Sequence, residues 1–413
     1  MTEPDLYAGS EQTKVKHFVL RSYLAVFARI VGSRWNAITY VDCFAGPWKE
    51  KSEKFEDSSF AIALDELRKA RDRLSKGQPL KLRCFFLEKD RKAYAKLKAF
   101  ADEVTDAEVV ARNSDLENSI DEILSFVAAG GRNAFPFIFI DPTGWTGFAM
   151  NTIAPLLRLR PGEVLINFMT NYIRRFIESP NRQTQESFES LFGSKTHREL
   201  IAGLPPAERE DAIVRLYAEN VKRTGNFEYA CSAIVLNPVK DRTHFHLTYA
   251  TRSEKGVEKF KEVEKSAMEE MERTRADAQQ RTRTKKTNQP ELFGSEVRYA
   301  STRYDELRER YLTQARSEVE SMLRAKGRMR YDDVWTEAMS FSLVWASDLK
   351  SWIEDWQKQG RLRIEGMTPR QQKAEAKSRK FPRLGAVTTH PVRASVSKSF
   401  VKTNCPIQPA QPA

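Results

Sequence analysis

Between residues 37 and 169 short apolar runs alternate with helical stretches, and this alternation limits the fold more than any other feature of the chain. The runs are AITYVDCF (37–44), LRCFFLEKD (82–90), AEVVARNSD (107–115), PFIFIDP (136–142) and EVLINFM (163–169). Between them stand SSFAIALDELRKAR (58–71), RKAYAKLKAFADEV (91–104), LENSIDEILSFVA (116–128) and MNTIAPLLRL (150–159), each with apolar residues at helical spacing. Strands joined through helices run parallel, and the helices cover both faces of their sheet. PFIFI and EVLINF are apolar at almost every position, as strands buried on both faces must be. The pattern predicts an α/β protein with a Rossmann-like, doubly wound, mostly parallel sheet.

The flanking segments extend this plan. A first helix is expected over 14–30, where Val15, Phe18, Leu20, Tyr23, Leu24, Phe27 and Ile30 share one broad apolar face. Residues 171–226 read as a polar helical insertion. YACSAIVLN (229–237) and THFHLTYAT (243–251), separated by PVKDR, read as an antiparallel pair added to the sheet. A parallel sheet that finishes in an antiparallel strand resembles the class I methyltransferase plan. A charged helix over 255–277 should give way at RTRTKKTNQP to an exposed linker. A second unit starts near Tyr304. Its first helix runs to about 325, YDDVWTEAM forms a second, and SDLKSWIEDWQKQ a third with Leu349, Trp352, Ile353 and Trp356 on one packing face. RLRIEG can then supply a wing strand, which makes this a winged-helix-like α+β domain. The expected division is an N-terminal helical segment (1–31), the sheet domain (32–270), a basic linker (271–300), the winged-helix-like domain (301–366) and a basic disordered tail (367–413).

Charge narrows the partners. The chain of 413 residues has 68 basic and 56 acidic side chains, a net +12. Residues 366–413 contribute +8 and residues 273–286 contribute +5, so everything else sums to −1. Nucleic-acid affinity is therefore expected to reside in the linker and tail and to depend steeply on salt. No window approaches the roughly 18–20 apolar residues of a membrane span. The first residues, MTEPDLYAGSEQTK, lack the order of a secretory signal, so a soluble cytoplasmic protein is expected. Four scattered cysteines without a C-x-x-C pair argue against zinc or a disulfide framework. His244 and His246 supply only two ligands, so no metal site is expected.

The chemistry-bearing residues fall at strand ends. VDCFAGPW (41–48) ends a strand in Asp42 and continues through Phe44, Ala45, Gly46 and Pro47, with Ala45 and Gly46 small enough for backbone N–H groups to approach a nucleotide-like ligand. It resembles the D-x-F-A-G-x-G turn of S-adenosylmethionine-dependent methyltransferases, with Trp48 in place of the second glycine. Glu88 ends the second strand, where a carboxylate can accept from ribose hydroxyls, and Asp115 follows the third, where it can meet an adenine amino group. IDPTGWTG (140–147) occupies the place of the D-P-P-Y tetrapeptide of amino-group methyltransferases: Asp141 and Pro142 match, and the aromatic is delayed to Trp145. An extruded base can stack on such a ring. The opposing reading has Asp141 capping a loop and Trp145 packing on the helical insertion. In NFMTNYIRRF (167–176), Asn167 lies near the same sheet edge, and Arg174 and Arg175 either hold a phosphate backbone or form a solvated face.

In order, KVKHFVLRSYLAVF, YVDCFAGPW, FFLEKD, FIDPTGWTGF and EVLINFMTNYIRRF, followed by HLTYATRSEKGVEKFK and PELFG, resemble the three-Cys-motif partner proteins (TcmP), a bacterial family. The similarity spans roughly residues 13–365. Asp42, Phe44, Ala45, Gly46 and Pro47 match the family's first loop, Glu88 its second-strand acid, and Lys14 and His17 the K-x-x-H of its first helix. Asp141, Pro142 and Gly144 match its I-D-P-F-G, with Thr143 for the phenylalanine. The resemblance implies S-adenosylmethionine as cofactor and, as partner, a three-Cys-motif protein related to radical S-adenosylmethionine proteins. It supplies no established reaction. Three readings remain open: methyl transfer to nucleic acid at an exocyclic base amine, a non-catalytic adaptor that delivers the partner to nucleic acid, and use of the bound cofactor in concert with a radical enzyme.

Overall fold

The computed structural model describes residues 6–46, 52, 55–74, 80–287, 302–365 and 386–389. The expected alternation is present: α1 (Glu11–Gly32), β1 (Ala37–Asp42), α2 (Ser59–Arg73), β2 (Lys81–Leu87), α3 (Arg91–Glu103), β3 (Glu108–Arg112), α4 (Ile120–Ala129), β4 (Ala134–Ile140), α5 (Met150–Leu157) and β5 (Glu163–Phe168). Four helices follow: α6 (Thr170–Phe176), α7 (Arg182–Phe192), α8 (His197–Ile201) and α9 (Pro206–Gly225). Then come β6 (Tyr229–Leu236), β7 (Thr243–Thr251) and α10 (Glu254–Thr287). The seven strands lie in the order β3-β2-β1-β4-β5-β7-β6, with β7 antiparallel to both neighbours and the other pairs parallel. This is the Rossmann-like class I methyltransferase arrangement.

Because strand side chains alternate, each strand feeds two cores. Tyr40, Phe86, Phe139 and Leu165 face the layer containing α1, α2 and α10. Val41, Phe85, Ile138 and Ile166 face the layer of α4, α5 and the inserted helices. No helix among the described residues is long and apolar enough to cross a membrane.

A buried polar cluster fixes the height of α1 against the sheet. At the start of β5 the Glu163 carboxylate accepts from Tyr23 Oη at 2.7 Å and from Thr251 Oγ1 at 2.8 Å. Burial pushes the Glu163 carboxyl pKa up, and these donors hold it down. Two helical turns from Tyr23, about 10 Å nearer the carboxyl edge of the sheet, stands Lys16.

The C-terminal unit comprises α11 (Thr302–Lys326), β8 (Arg328–Arg330), α12 (Tyr331–Ser340), α13 (Ala346–Lys358), β9 (Leu362–Glu365) and β10 (Ala386–Thr389). Its antiparallel sheet has the order β8-β10-β9. It docks through a buried ion pair on α10: Lys261 Nζ donates to Glu264 at 2.8 Å and to the Phe341 carbonyl at 2.6 Å, and Glu264 accepts from the Leu343 N–H at 3.0 Å. Ser342 Oγ donates to the Ser232 carbonyl of β6 at 2.6 Å.

Two sequence expectations are corrected. The linker expected over 271–300 is helical as far as Thr287, because Met271, Thr274, Arg275 and Ala278 are buried and the Arg275 guanidinium grips the β6–β7 turn. The tail expected to be disordered contributes β10, the middle strand of the small sheet. AVTT is too short to stand out in a basic, polar stretch, and its pairing partners lie more than 20 residues away. The remainder of both segments lies outside the described residues.

Candidate functional site

Two positions beyond the inward-facing residues Tyr40, Phe86, Phe139 and Leu165, each strand ends in a polar residue: Asp42, Glu88, Asp141 and Asn167. The alternation that builds the core therefore turns all four toward the α1 side at the carboxyl edge of β1, β2, β4 and β5. This edge is where open α/β sheets bind ligands.

Asp42 is wholly buried. Its carboxylate accepts from Ser59 Oγ at 2.6 Å and Tyr40 Oη at 3.4 Å on one oxygen, and from the Phe44 N–H at 3.2 Å on the other. Burial pushes its pKa up to about 7, with Asp141 adding to the rise, while Ser59, the Phe44 N–H and Lys16 oppose it. Ser59 is the first residue of α2, so the start of that helix reaches the site.

After β1 the chain crosses the end of β2. Ala45 N–H donates to the Leu87 carbonyl at 2.8 Å, and Gly46 N–H donates to Glu88 Oε2 at 3.0 Å. Gly46 has φ +74°, a conformation that costs other residues. The second Glu88 oxygen accepts from the Asp90 N–H at 2.6 Å, and burial raises the Glu88 pKa against these two bonds. Each carboxylate oxygen retains a lone pair for a further donor. Phe44 is half-buried against the opposite core. Pro47 and Trp48 lie outside the described residues.

Asp115 stands apart from this group. It is exposed, and its Oδ1 accepts from both the backbone N–H and the side-chain amide of Asn118, at 2.9 and 2.8 Å. The loop's link to the second strand is Asn113, whose amide donates to the carbonyls of Glu88 and Lys89 at 2.9 and 3.1 Å.

At β4, Asp141 forms an ion pair with Lys16 and accepts from Asn167 Nδ2 at 2.7 Å. Asn167 Oδ1 is buried without a hydrogen-bond partner in the structure. Pro142 is buried and Thr143 exposed. Trp145 packs on the insertion: its ring centroid is 5.3 Å from Phe176, 5.6 Å from Phe188 and 6.0 Å from Tyr172, and Nε1 donates to Ser187 Oγ at 3.0 Å. Arg174 pairs with Glu210 at 3.0 Å. Arg175 is exposed, its guanidinium 5.4 Å from the exposed Phe176 ring.

Sequence reasoning missed Lys16 and Ser59. It named Lys14 and His17 on α1, but Lys14 pairs with Glu270 of α10 at 2.9 Å and His17 Nδ1 lies 3.1 Å from Tyr7 Oη. A lysine within the apolar run of the first helix, between Val15 and Phe18, was the available signal for Lys16.

The arrangement suits a cationic nucleoside cofactor. Asp42 is a buried carboxyl that a nearby positive charge would favour in its ionised form, Glu88 offers oriented acceptors, and the loop through Gly46 has no side chain to obstruct approach. No family model matches the chain, and no curated protein matches it. Protein LPL1258 of Legionella pneumophila, assigned to DUF519, is a solved structure with TM-score 0.36 and 11% identity, covering 64% of this chain and 94% of that one. Loganic acid methyltransferase with SAH has TM-score 0.27 and 10% identity, over 56% of this chain and 78% of that one. Both are distant likenesses.

Proposed function

We propose that the protein is an S-adenosylmethionine-dependent methyltransferase acting on a nucleic acid at an exocyclic base amine, together with a three-Cys-motif partner. The observation that supports this reading is the alignment of Asp42, Glu88, Asp141 and Asn167 on one face at the carboxyl edge of four adjacent strands. When bound, the cofactor supplies an electrophilic methyl group on a sulfonium. Glu88 accepts hydrogen bonds from its ribose, and Asp42 lies where positive charge relieves a buried carboxylate.

The rest of the work is alignment. Methyl transfer to an amine requires a nitrogen held in line, with its hydrogens bound so that the lone pair is directed at the carbon. Asp141 Oδ accepts one N–H, and the Pro142 carbonyl or Asn167 Oδ1 accepts another. Lys16 and the Asn167 amide fix the Asp141 carboxylate from two sides. Titration calorimetry with S-adenosylmethionine should give heat, and Asp141→Ala should abolish methyl transfer while leaving cofactor affinity nearly intact. Full activity in Asp141→Ala rejects the assignment.

One observation favours the adaptor reading. Trp145, the ring expected to stack on a base, is engaged by Phe176, Phe188, Tyr172 and Ser187. A core that gives no heat with high micromolar S-adenosylmethionine, in a protein that still binds its partner and nucleic acid, selects the adaptor. In either case the C-terminal unit serves as a winged-helix docking module.

A further inference from the structure

The last ten residues of α10, AQQRTRTKKT (278–287), carry four basic side chains and no acidic one. Their position follows from a ladder of contacts between α10 and α1. Phe260 packs on Tyr23 with ring centroids 5.8 Å apart, Glu270 pairs with Lys14 at 2.9 Å, and Arg281 pairs with Glu11 at 2.6 Å. Each contact lies nearer the carboxyl edge than the one before. Glu11 begins α1, so α10 continues past it for six residues, about 9 Å of helix. Arg283, Lys285 and Lys286 are exposed on this projection.

The β6–β7 turn belongs to the same edge, because β7 runs antiparallel to β5 and starts where β5 ends. Buried Arg275 of α10 ties the turn down, donating to the Lys240 carbonyl at 3.1 Å and to Asp241 Oδ1 at 2.5 Å. That leaves the Lys240 side chain exposed. From β4, which carries Asp141, to β6 is three strand spacings, about 14 Å. α6, which follows β5 and packs on the opposite face of the sheet, carries exposed Arg175 and Phe176.

We infer that Lys240 and the projecting end of α10 form a basic ridge that holds the phosphates of a single-stranded nucleic acid whose base reaches Asp141. This rests on the proposed function and specifies its substrate class. A single strand fits because an exocyclic amine inside a duplex would first have to leave its stack. The ridge moves the expected binding surface from the tail to the folded body, where phosphate contacts can set the register of the strand relative to the site.

The test uses the full chain, fluorescein-labelled single-stranded DNA and RNA of one mixed sequence, and anisotropy between about 50 and about 200 mM salt. In Lys240→Gln/Lys285→Gln/Lys286→Gln, loss of three phosphate contacts should reduce the slope of log K against log salt by about 2 and weaken binding at least about tenfold. Gln preserves helix propensity, and an unchanged circular dichroism spectrum separates loss of charge from loss of helix. Deleting residues 390–413 should have the smaller effect. An unchanged slope in the triple variant, a loss that follows the deletion alone, or no binding of either probe by the wild type overturns the ridge; capture of only an acidic protein partner by the same lysines overturns it too. S-adenosylmethionine heat is read separately. Oligonucleotide binding without that heat keeps the ridge and removes methyl transfer, and the reverse result removes the ridge.

Discussion

The Asp42 carboxyl should make the protein lose stability as pH rises from weakly acidic to neutral. Burial shifts its pKa from 3.8 to about 7, since two hydroxyls and one N–H only partly replace its hydration. Between those values the unfolded chain has released the proton and the folded chain keeps it, so stability falls across this window and levels off above it. The difference of about 3 corresponds to about 4 kcal/mol at most. Asp42→Asn removes the ionisation while retaining an acceptor for the Phe44 N–H and a group able to pair with Ser59. Urea unfolding of both proteins should show nearly equal stability near about pH 4, with the variant gaining up to about 4 kcal/mol by about pH 8. A cationic cofactor should draw the proton off, so binding near about pH 6 should release protons in the wild type, seen as heat that varies with the buffer, but not in Asp42→Asn. Parallel stability curves for the two proteins across this range would refute the reasoning.

Lys261→Met leaves Glu264 buried without its cation and should cost about 3–5 kcal/mol in urea unfolding, whereas Lys261→Met/Glu264→Leu should recover most of that loss. Trp145→Phe keeps a ring among Phe176, Phe188 and Tyr172 but loses the bond to Ser187, so unfolding should cost about 1 kcal/mol with methyl transfer preserved. Activity lost at unchanged stability would instead assign the indole to substrate. Gly256→Ala places a Cβ 2.5 Å from the Tyr249 hydroxyl and 3.0 Å from Glu163 Oε1. The crowding should lower stability by about 1–3 kcal/mol, read from the unfolding midpoint.

Much of the sheet domain was legible because its signals are local. An all-apolar run such as PFIFI has few stable fates other than a covered strand, and the residue two places beyond a buried aromatic must face the same side. Asp42, Glu88 and Asp141 could be named before any contact was known because they stand at the ends of such runs, in motif-like turns. Asp115 was named by the same logic, but its side chain is occupied by Asn118 in its own turn. Trp145 followed a motif, yet α6 and α7, whose packing no local pattern specifies, surround it.

The other differences concern partners distant in sequence. RTRTKKT resembles a linker until Arg275 and Arg281 find the β6–β7 turn and Glu11, which make the segment helical and place its charge at the carboxyl edge of the sheet. AVTT becomes a strand only because β8 and β9 leave a place between them. By itself the sequence determined the parallel sheet, the order of its helices and the acids at its strand ends, since these follow from periodicities of two and 3.6 residues within single segments. The tertiary structure decided that Lys16 faces Asp141, that Asp42 is buried deeply enough to hold its proton, and where the basic residues of α10 project. Those outcomes depend on the height of one helix against the sheet, which the Tyr23–Glu163 contact sets across 140 residues of chain.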